Sequence, residues 1–555
     1  MHAFAEAVKW VQDVVCFNQR HRRGEIRMTE EQPAYDYDRK RTVLGLVTLF
    51  LIYGTMAYFV QALNIARPKI AAELDGMSLY SWSVSIPGLV GAFVTLIFGK
   101  LSDMYGRRIM LLISLIFALL GSTLSALSTT FVFLIVASGI GSLGIGAMMP
   151  LVFAVVGDMF SPVERSKWIG LLQIPMGIAA LFGPALGGWF VDTLGWQYFF
   201  WSTVPLLILC LILLPFSIPP PAKRGIKRKI DVCGCLLVTL ASSTTIIGIS
   251  LAGVTYPWRS IEMITLLGIS LIAWILFFRV EYGVDEPILD PLVLRTRSFN
   301  TVAAASFLSF FGNMGMMMYF PMFLQGVQGI SAKDSGWIFT PFSVLTGFIA
   351  VPVGFLLARM RHYKWMYIVS YAILTGNMFG IIFLTEETPV LFCVLVSIIA
   401  GLGLGAIPTV NTIVVQNAVP KRLLGAAMGA IFFCLMMALA ICPAVLGRAE
   451  QATYEKTLAA LLPDGLNQVE DQTTMASLID SQVLLAKDKM AALENSFREM
   501  GSEGQVLFQQ TVDAIRASME ASLRSVFWIG AIAMLVAFLI IITVPEVPIG
   551  EGQSE

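Results

Sequence analysis

Fourteen apolar runs, each long enough to cross about 30 Å of hydrocarbon, occupy most of this 555-residue sequence. They lie near 43–65, 82–101, 109–128, 131–156, 166–190, 198–217, 232–253, 261–279, 301–325, 337–358, 365–385, 389–415, 423–447 and 525–544. In lipid every backbone polar group needs an internal partner, which a helix supplies within one segment. The runs therefore predict an all-α polytopic membrane protein. Composition agrees: 13% of residues are charged, against about 25% in soluble domains, and mean hydropathy is +0.77. Net charge is zero, so nothing favours nucleic acid as a partner.

Charge placement tests the count. With the N-terminus inside, the loops on the cytoplasmic side hold Arg107 and Arg108, Arg165 and Lys167, Lys223 to Lys229, Arg295 and Arg297, Arg359 to Lys364, and Lys421 and Arg422. The loops near 129, 192, 256, 333 and 386 carry few bases. This is the positive-inside pattern, and an even number of spans places both termini in the cytoplasm. One segment predicted to be external is long, at 448–522. Its helical periodicity in 474–497 and 505–523 suits a solvated hairpin over the outer mouth, or a surface for a periplasmic partner.

Two segments repeat at an offset of 259 residues. Leu143-Gly-Ile-Gly-Ala147 matches Leu402-Gly-Leu-Gly-Ala406, and Gly170, Ala179, Pro184 and Gly188 match Gly429, Ala438, Pro443 and Gly447. A weaker echo pairs 99–108 with 354–363. The expected organisation is an N-terminal segment 1–42, a six-helix half 43–217, a linker 218–299 carrying two additional helices, a second six-helix half 300–544 that includes 448–522, and a tail 545–555. Parallel halves place a substrate site between them near the bilayer midplane.

Gly99-Lys-Leu-Ser-Asp103-Met-Tyr-Gly106-Arg107-Arg108 resembles the loop between helices 2 and 3 of the major facilitator superfamily. There Gly99 allows close helix approach, Gly106 a tight turn, and Asp103 pairs with arginine or faces a helix N-terminus. The resemblance implies a cytoplasmic conformational latch made of Gly99, Asp103, Gly106, Arg107 and Arg108. In the fifth run, Gly170 with Gly183-Pro184-Ala-Leu-Gly187-Gly188 is similar to the motif of antiporters in that superfamily, with Ala179 in place of one glycine. Small residues also serve packing alone, so this motif carries both readings. Trp196-Gln-Tyr-Phe-Phe, Asp231-Val-Cys-Gly234, Tyr256-Pro-Trp258, Pro321 to Ser331, Gln416 with Pro420, and Val544-Pro545-Glu546 narrow the resemblance to the fourteen-helix drug:proton antiporters. It covers about residues 40 to 549. It implies a secondary transporter in a plasma membrane (the inner membrane of a bacterium) that exports lipophilic small molecules.

Two positions depart from that family. Its first-helix acid falls on Phe59, and its fourth-helix arginine, twelve residues before a proline, falls on Ser138 before Pro150. Both charges tied to proton coupling in the family are replaced. No acid or base stands well inside any of the runs, where a charge costs roughly 2.5–3.5 kcal/mol. The polar candidates for a substrate cavity are therefore Gln61, Asn64, Gln173, Asn313 and Asn411, each equally suited to an interhelical hydrogen bond. Met317 in the Met316-Met317-Met318 run offers the polarizable surface that accepts varied apolar ligands.

The seven cysteines and three histidines show no ligand spacing, so neither a metal nor a cofactor is expected. No nucleophile–base pair or phosphate loop suggests an enzyme. Residues 1–27 read either as an amphipathic surface segment or as upstream of a start at Met28. Protons and membrane lipid complete the expected partners. The functional alternatives are a lipid or amphiphile transporter, an uncoupled facilitator, and a membrane sensor or scaffold.

Overall fold

The computed structural model describes residues 39–74, 80–218, 231–252, 256–284, 287–360, 362–462, 497 and 501–546. The described chain is helical, with a lone bridge between Ala252 and Tyr256. The first half comprises α1 (Arg39–Glu73), α2 (Tyr80–Tyr105), α3 (Arg107–Ala126), α4 (Phe131–Met159), α5 (Pro162–Thr193) and α6 (Trp196–Ser217). Then come α7 (Val232–Leu251) and α8 (Ile261–Glu281). The second half holds α9 (Arg297–Gly326), α10 (Asp334–Met360), α11 (Lys364–Ile382), α12 (Val390–Ala418), α13 (Leu424–Leu461) and α14 (Gly501–Ile542). Thirteen of these are long and apolar enough to cross a membrane among the described residues. The remaining one, α5, is a 32-residue helix that lies along α1 and α10.

Local chemistry sets the joints. Gly106, at φ 96°, turns the chain between α2 and α3 in a conformation closed to most L-residues. Thr130 and Ser260 cap α4 and α8 by accepting from the backbone N–H of Phe133 and Met263. Pro162 stands in the first turn of α5, where its missing N–H costs nothing. Within α10 the helix breaks at Ile349, after Phe348 and before Ala350–Met360. Pro352 explains it, since it cannot donate to the Phe348 carbonyl four residues back. In α9 a π-helical turn at Gly315–Tyr319 inserts one extra residue into the helix.

The sequence repeat is a repeat of packing. In the first half α1 packs on α5 and α6, α4 on α2 and α3, and α3 on α6. In the second half the equivalents do the same: α9 on α13 and α14, α12 on α10 and α11, and α11 on α14. The inserted helices α7 and α8 pack on each other, and α7 also meets α2 and α13.

The structure differs from the sequence reading around 448–522. The helix periodicity over 505–523 does not form a separate element; it belongs to the 42-residue α14. Likewise α13 continues to Leu461. Residues 463–496 and 498–500, with most of the other predicted hairpin helix, lie outside the described residues, as do 1–38 and 219–230.

Candidate functional site

The sequence-marked loop at the end of α2 lies where the halves meet. Asp103 reaches the first turn of α13, where its two oxygens accept from the backbone N–H groups of Gly425 (2.9 Å) and Ala426 (2.7 Å). A helix N-terminus carries unpartnered N–H groups and a partial positive charge, so it suits a carboxylate. Arg107, at the start of α3, ties the arrangement together. Its guanidinium donates to Asp103 (2.6 Å), to Asp158 at the end of α4 (2.8 Å) and to Ser102. The Asp103 and Arg107 side chains are almost fully buried. Arg108 is half-buried beside them.

Backbone contact surrounds this charge cluster. A β-carbon on Gly99 would stand 2.8 Å from the Cα of Gly429, and one on Gly429 would stand 3.1 Å from the Cα of Gly99. The same arrangement recurs across the pseudo-two-fold axis. Gly170 on α5 faces Gly354 on α10, each with its β-carbon position 3.1 Å from the other's Cα. These are the repeat partners of Gly429 and Gly99. Gln416 of α12 also bridges the halves, donating to the Phe153 carbonyl of α4 (2.9 Å), and the Phe153 ring lies against Phe432 of α13 (5.5 Å). All of these contacts lie toward the end of the molecule that carries the basic loops.

Farther from that end α5 and α10 separate. Gly177 still touches Gly347, with its β-carbon position 3.2 Å from the Gly347 Cα. Beyond it opens a cavity of about 130 Å³ lined by Gly177, Ala180, Leu181, Gly336, Phe339, Thr340, Ser343 and Val344. Gln173, one helical turn below Gly177, is buried and accepts from the Tyr53 hydroxyl at 3.4 Å.

The antiporter-like stretch of α5 works on two faces. Gly170 and Gly177 face α10, whereas Gly183 and Gly187 face α1, whose Gln61 Cβ and Ala62 Cα lie 2.9 Å from the respective β-carbon positions. The side chains of Pro184, Gly188 and Asn64 lie outside the described residues. Gln61 is half-buried at this α1–α5 seam.

The other polar candidates sit within the second half. Asn411 accepts from the Tyr367 hydroxyl (2.7 Å) and donates to Ser306 (2.8 Å), which joins α11, α12 and α9. Asn313 lies with Asn377 beside a space of about 10 Å³, and the carboxamide oxygens of both lack a hydrogen-bond partner. Met317 is exposed on the π-turn while Met316 is buried. Phe59 packs among the aromatic rings of Phe199 and Phe200 of α6.

Sequence reasoning passed over several groups. Glu450 falls inside α13 rather than in a loop; it is buried and accepts from Ser522 of α14 (3.3 Å). Tyr53 and Ser306 read in the sequence only as ordinary apolar-span residues. Asp158 stands at the end of α4, and its arginine partner lies 51 residues away in the sequence.

The family model described as Major Facilitator Superfamily matches residues 49–443. The chain is 26% identical over 524 residues to the "Multidrug transporter protein MdtP" of Bacillus subtilis (strain 168), covering 92% of this chain and 95% of that protein. It is 29% identical over 367 residues to "Multidrug resistance protein 3" of the same organism, covering 66% and 70% of the two. In fold it resembles the human organic anion transporter MFSD10 (TETRAN), with a TM-score of 0.57 at 14% identity, over 92% of this chain and all of that one. The fold and the relatives are those of membrane transporters and not of an enzyme. On the family match and the paired six-helix halves, the chain is a member of the Major Facilitator Superfamily.

Proposed function

We propose that this transporter exports lipophilic small molecules by alternating access, with substrate passing between the two halves. The observation that carries the reading is the one-sided closure. The halves are held together at the basic end by Asp103, the paired glycines and Gln416, and part around a cavity between α5 and α10. The positive-inside rule puts the basic end in the cytoplasm, so the arrangement is an outward-facing state. The cavity wall is apolar at Leu181, Phe339 and Val344, with hydroxyls at Thr340 and Ser343. None of these lining residues is charged, which suits neutral cargo. The names of the two Bacillus relatives support the same class.

Coupling to protons is part of the proposal, through acids other than the family's own. Phe59 packs against the rings of Phe199 and Phe200, and neither it nor Ser138 carries a charge. Those two positions also favour a second reading, an uncoupled facilitator that releases cargo down its gradient. The test is flux in proteoliposomes across a panel of lipophilic dyes and lipids, with and without an inward proton gradient. Export is expected for part of the dye panel, and stimulation by the gradient selects the coupled reading. Flux confined to lipids would move the assignment to a lipid transporter. A chain that moves none of the panel would contradict it.

A further inference from the structure

The inserted helix pair holds a second buried acidic site. Asp231 caps α7, with Oδ1 accepting from the Gly234 N–H at 2.8 Å. Glu281 ends α8, and its Oε2 accepts from the Leu289 N–H at 3.1 Å. Both residues are more than nine-tenths buried. The other oxygen of each, Asp231 Oδ2 and Glu281 Oε1, has no hydrogen-bond partner. These two oxygens converge on one place: the position of a β-carbon on Gly234 lies 3.0 Å from Glu281 Oε1 and closer still to Asp231 Oδ2.

We infer that Asp231 and Glu281 form a proton-binding site in which one proton is shared between Glu281 Oε1 and Asp231 Oδ2. A proton taken from water onto Glu281 Oε1 turns that oxygen into a donor, and Asp231 Oδ2 accepts from it. One proton thus satisfies both unpartnered atoms and removes one buried charge, which is costly to leave uncompensated. Two buried carboxylates whose free oxygens both lie within 3.0 Å of one point do not readily ionise together. Lys100 from α2 acts on Glu281, and Cys235 from α7 lies near both carboxylates. A metal cation would find only two free oxygens beside an ammonium, a poor ligand set.

The place of the site gives it a consequence. Lys100 adjoins Gly99, whose backbone meets Gly429 at the closed end. Trp274 of α8 lies against Phe433 of α13 (6.0 Å). Loading the pair therefore changes the charge felt at the joint that opens and closes. That consequence rests on the transporter reading; the proton site itself does not, and it is tested without any cargo.

The experiment is infrared difference spectroscopy of the full chain in liposomes, titrated from alkaline to acid pH, in water and heavy water. The expected result is a carboxyl C=O band of a buried protonated acid that shifts in heavy water, disappears in Glu281→Gln and moves in Asp231→Asn. Gly234→Ala, which places a methyl against both oxygens, should move it as well. This variant keeps the test open where Glu281→Gln fails to fold. Absence of any titrating buried-carboxyl band in the wild type would overturn the inference. So would an unchanged band in folded Glu281→Gln or in Gly234→Ala. Loss of the wild-type band on adding sodium at constant pH would identify a metal-cation site instead, and would also overturn it.

Discussion

Asp103 connects three elements through one carboxylate: its own helix α2, Arg107 of α3 and the first turn of α13. Asparagine keeps the shape and loses the match, because its NH2 group would point at a backbone N–H that needs an acceptor. A hydrogen bond to a charged group contributes about 1.5–3 kcal/mol, so Asp103→Asn should shift the access equilibrium by about 10- to 150-fold toward opening of the basic end. Transport turnover should fall while membrane insertion stays normal; Arg107→Ala should do the same. Steady-state flux with a surface-labelling control measures both, and normal turnover in both variants would reduce the loop to a topology signal. The motif was legible in the sequence because its residues are adjacent. Its acceptor partners were not, because Gly425 and Ala426 contribute only backbone N–H groups, and the amino-acid sequence does not display those. Gln416 belongs to a family-like stretch of the sequence, yet its bond to a carbonyl in the other half depends on how the two halves pack.

At the scale of the helix, α5 and α13 show what the glycines do. Gly429 meets the Thr95 carbonyl and the Gly99 Cα on the facing helix, both backbone and unable to rotate away. Gly429→Val is therefore expected to wedge the halves apart at the basic end, exposing cysteines placed there to a membrane-impermeant reagent. Gly183→Val should act differently, since Gly183 packs on α1 within one half; it should lower thermal stability more than it changes access. Equal behaviour of the two would argue against a division of labour along these helices. The periodic apolar runs made the helices themselves predictable. The faces were less legible, because a glycine on one side of a helix looks the same in sequence as a glycine on the other. Glu450 illustrates a related point: hydropathy ends the span at 447, while the helix continues. Topology is tested at this scale too. Cysteines replacing Gly225 and Met360 should label only from the cytoplasm and one replacing Asp480 only from outside. Cytoplasmic labelling at 480 would overturn the span count.

For the whole molecule, the internal repeat had the greatest reach. An offset read from a few glycines and prolines predicted two like halves, and five helix pairings recur in both. Gly99 meets Gly429 and Gly170 meets Gly354 across the axis, so the same kind of contact occurs twice. The sequence could not say which side is closed, because one chain encodes every access state and the balance between them is a small free-energy difference. The central claim is that these joints must part for cargo to cross. It is tested most directly by placing cysteines at Phe153 and Phe432, whose rings meet across the halves at 5.5 Å, in a chain lacking its native cysteines, bridging them with a short cleavable thiol cross-linker and following dye flux in proteoliposomes. Cross-linking should halt flux, and cleavage of the linker should restore it. Undiminished flux with the pair fully cross-linked would contradict the account.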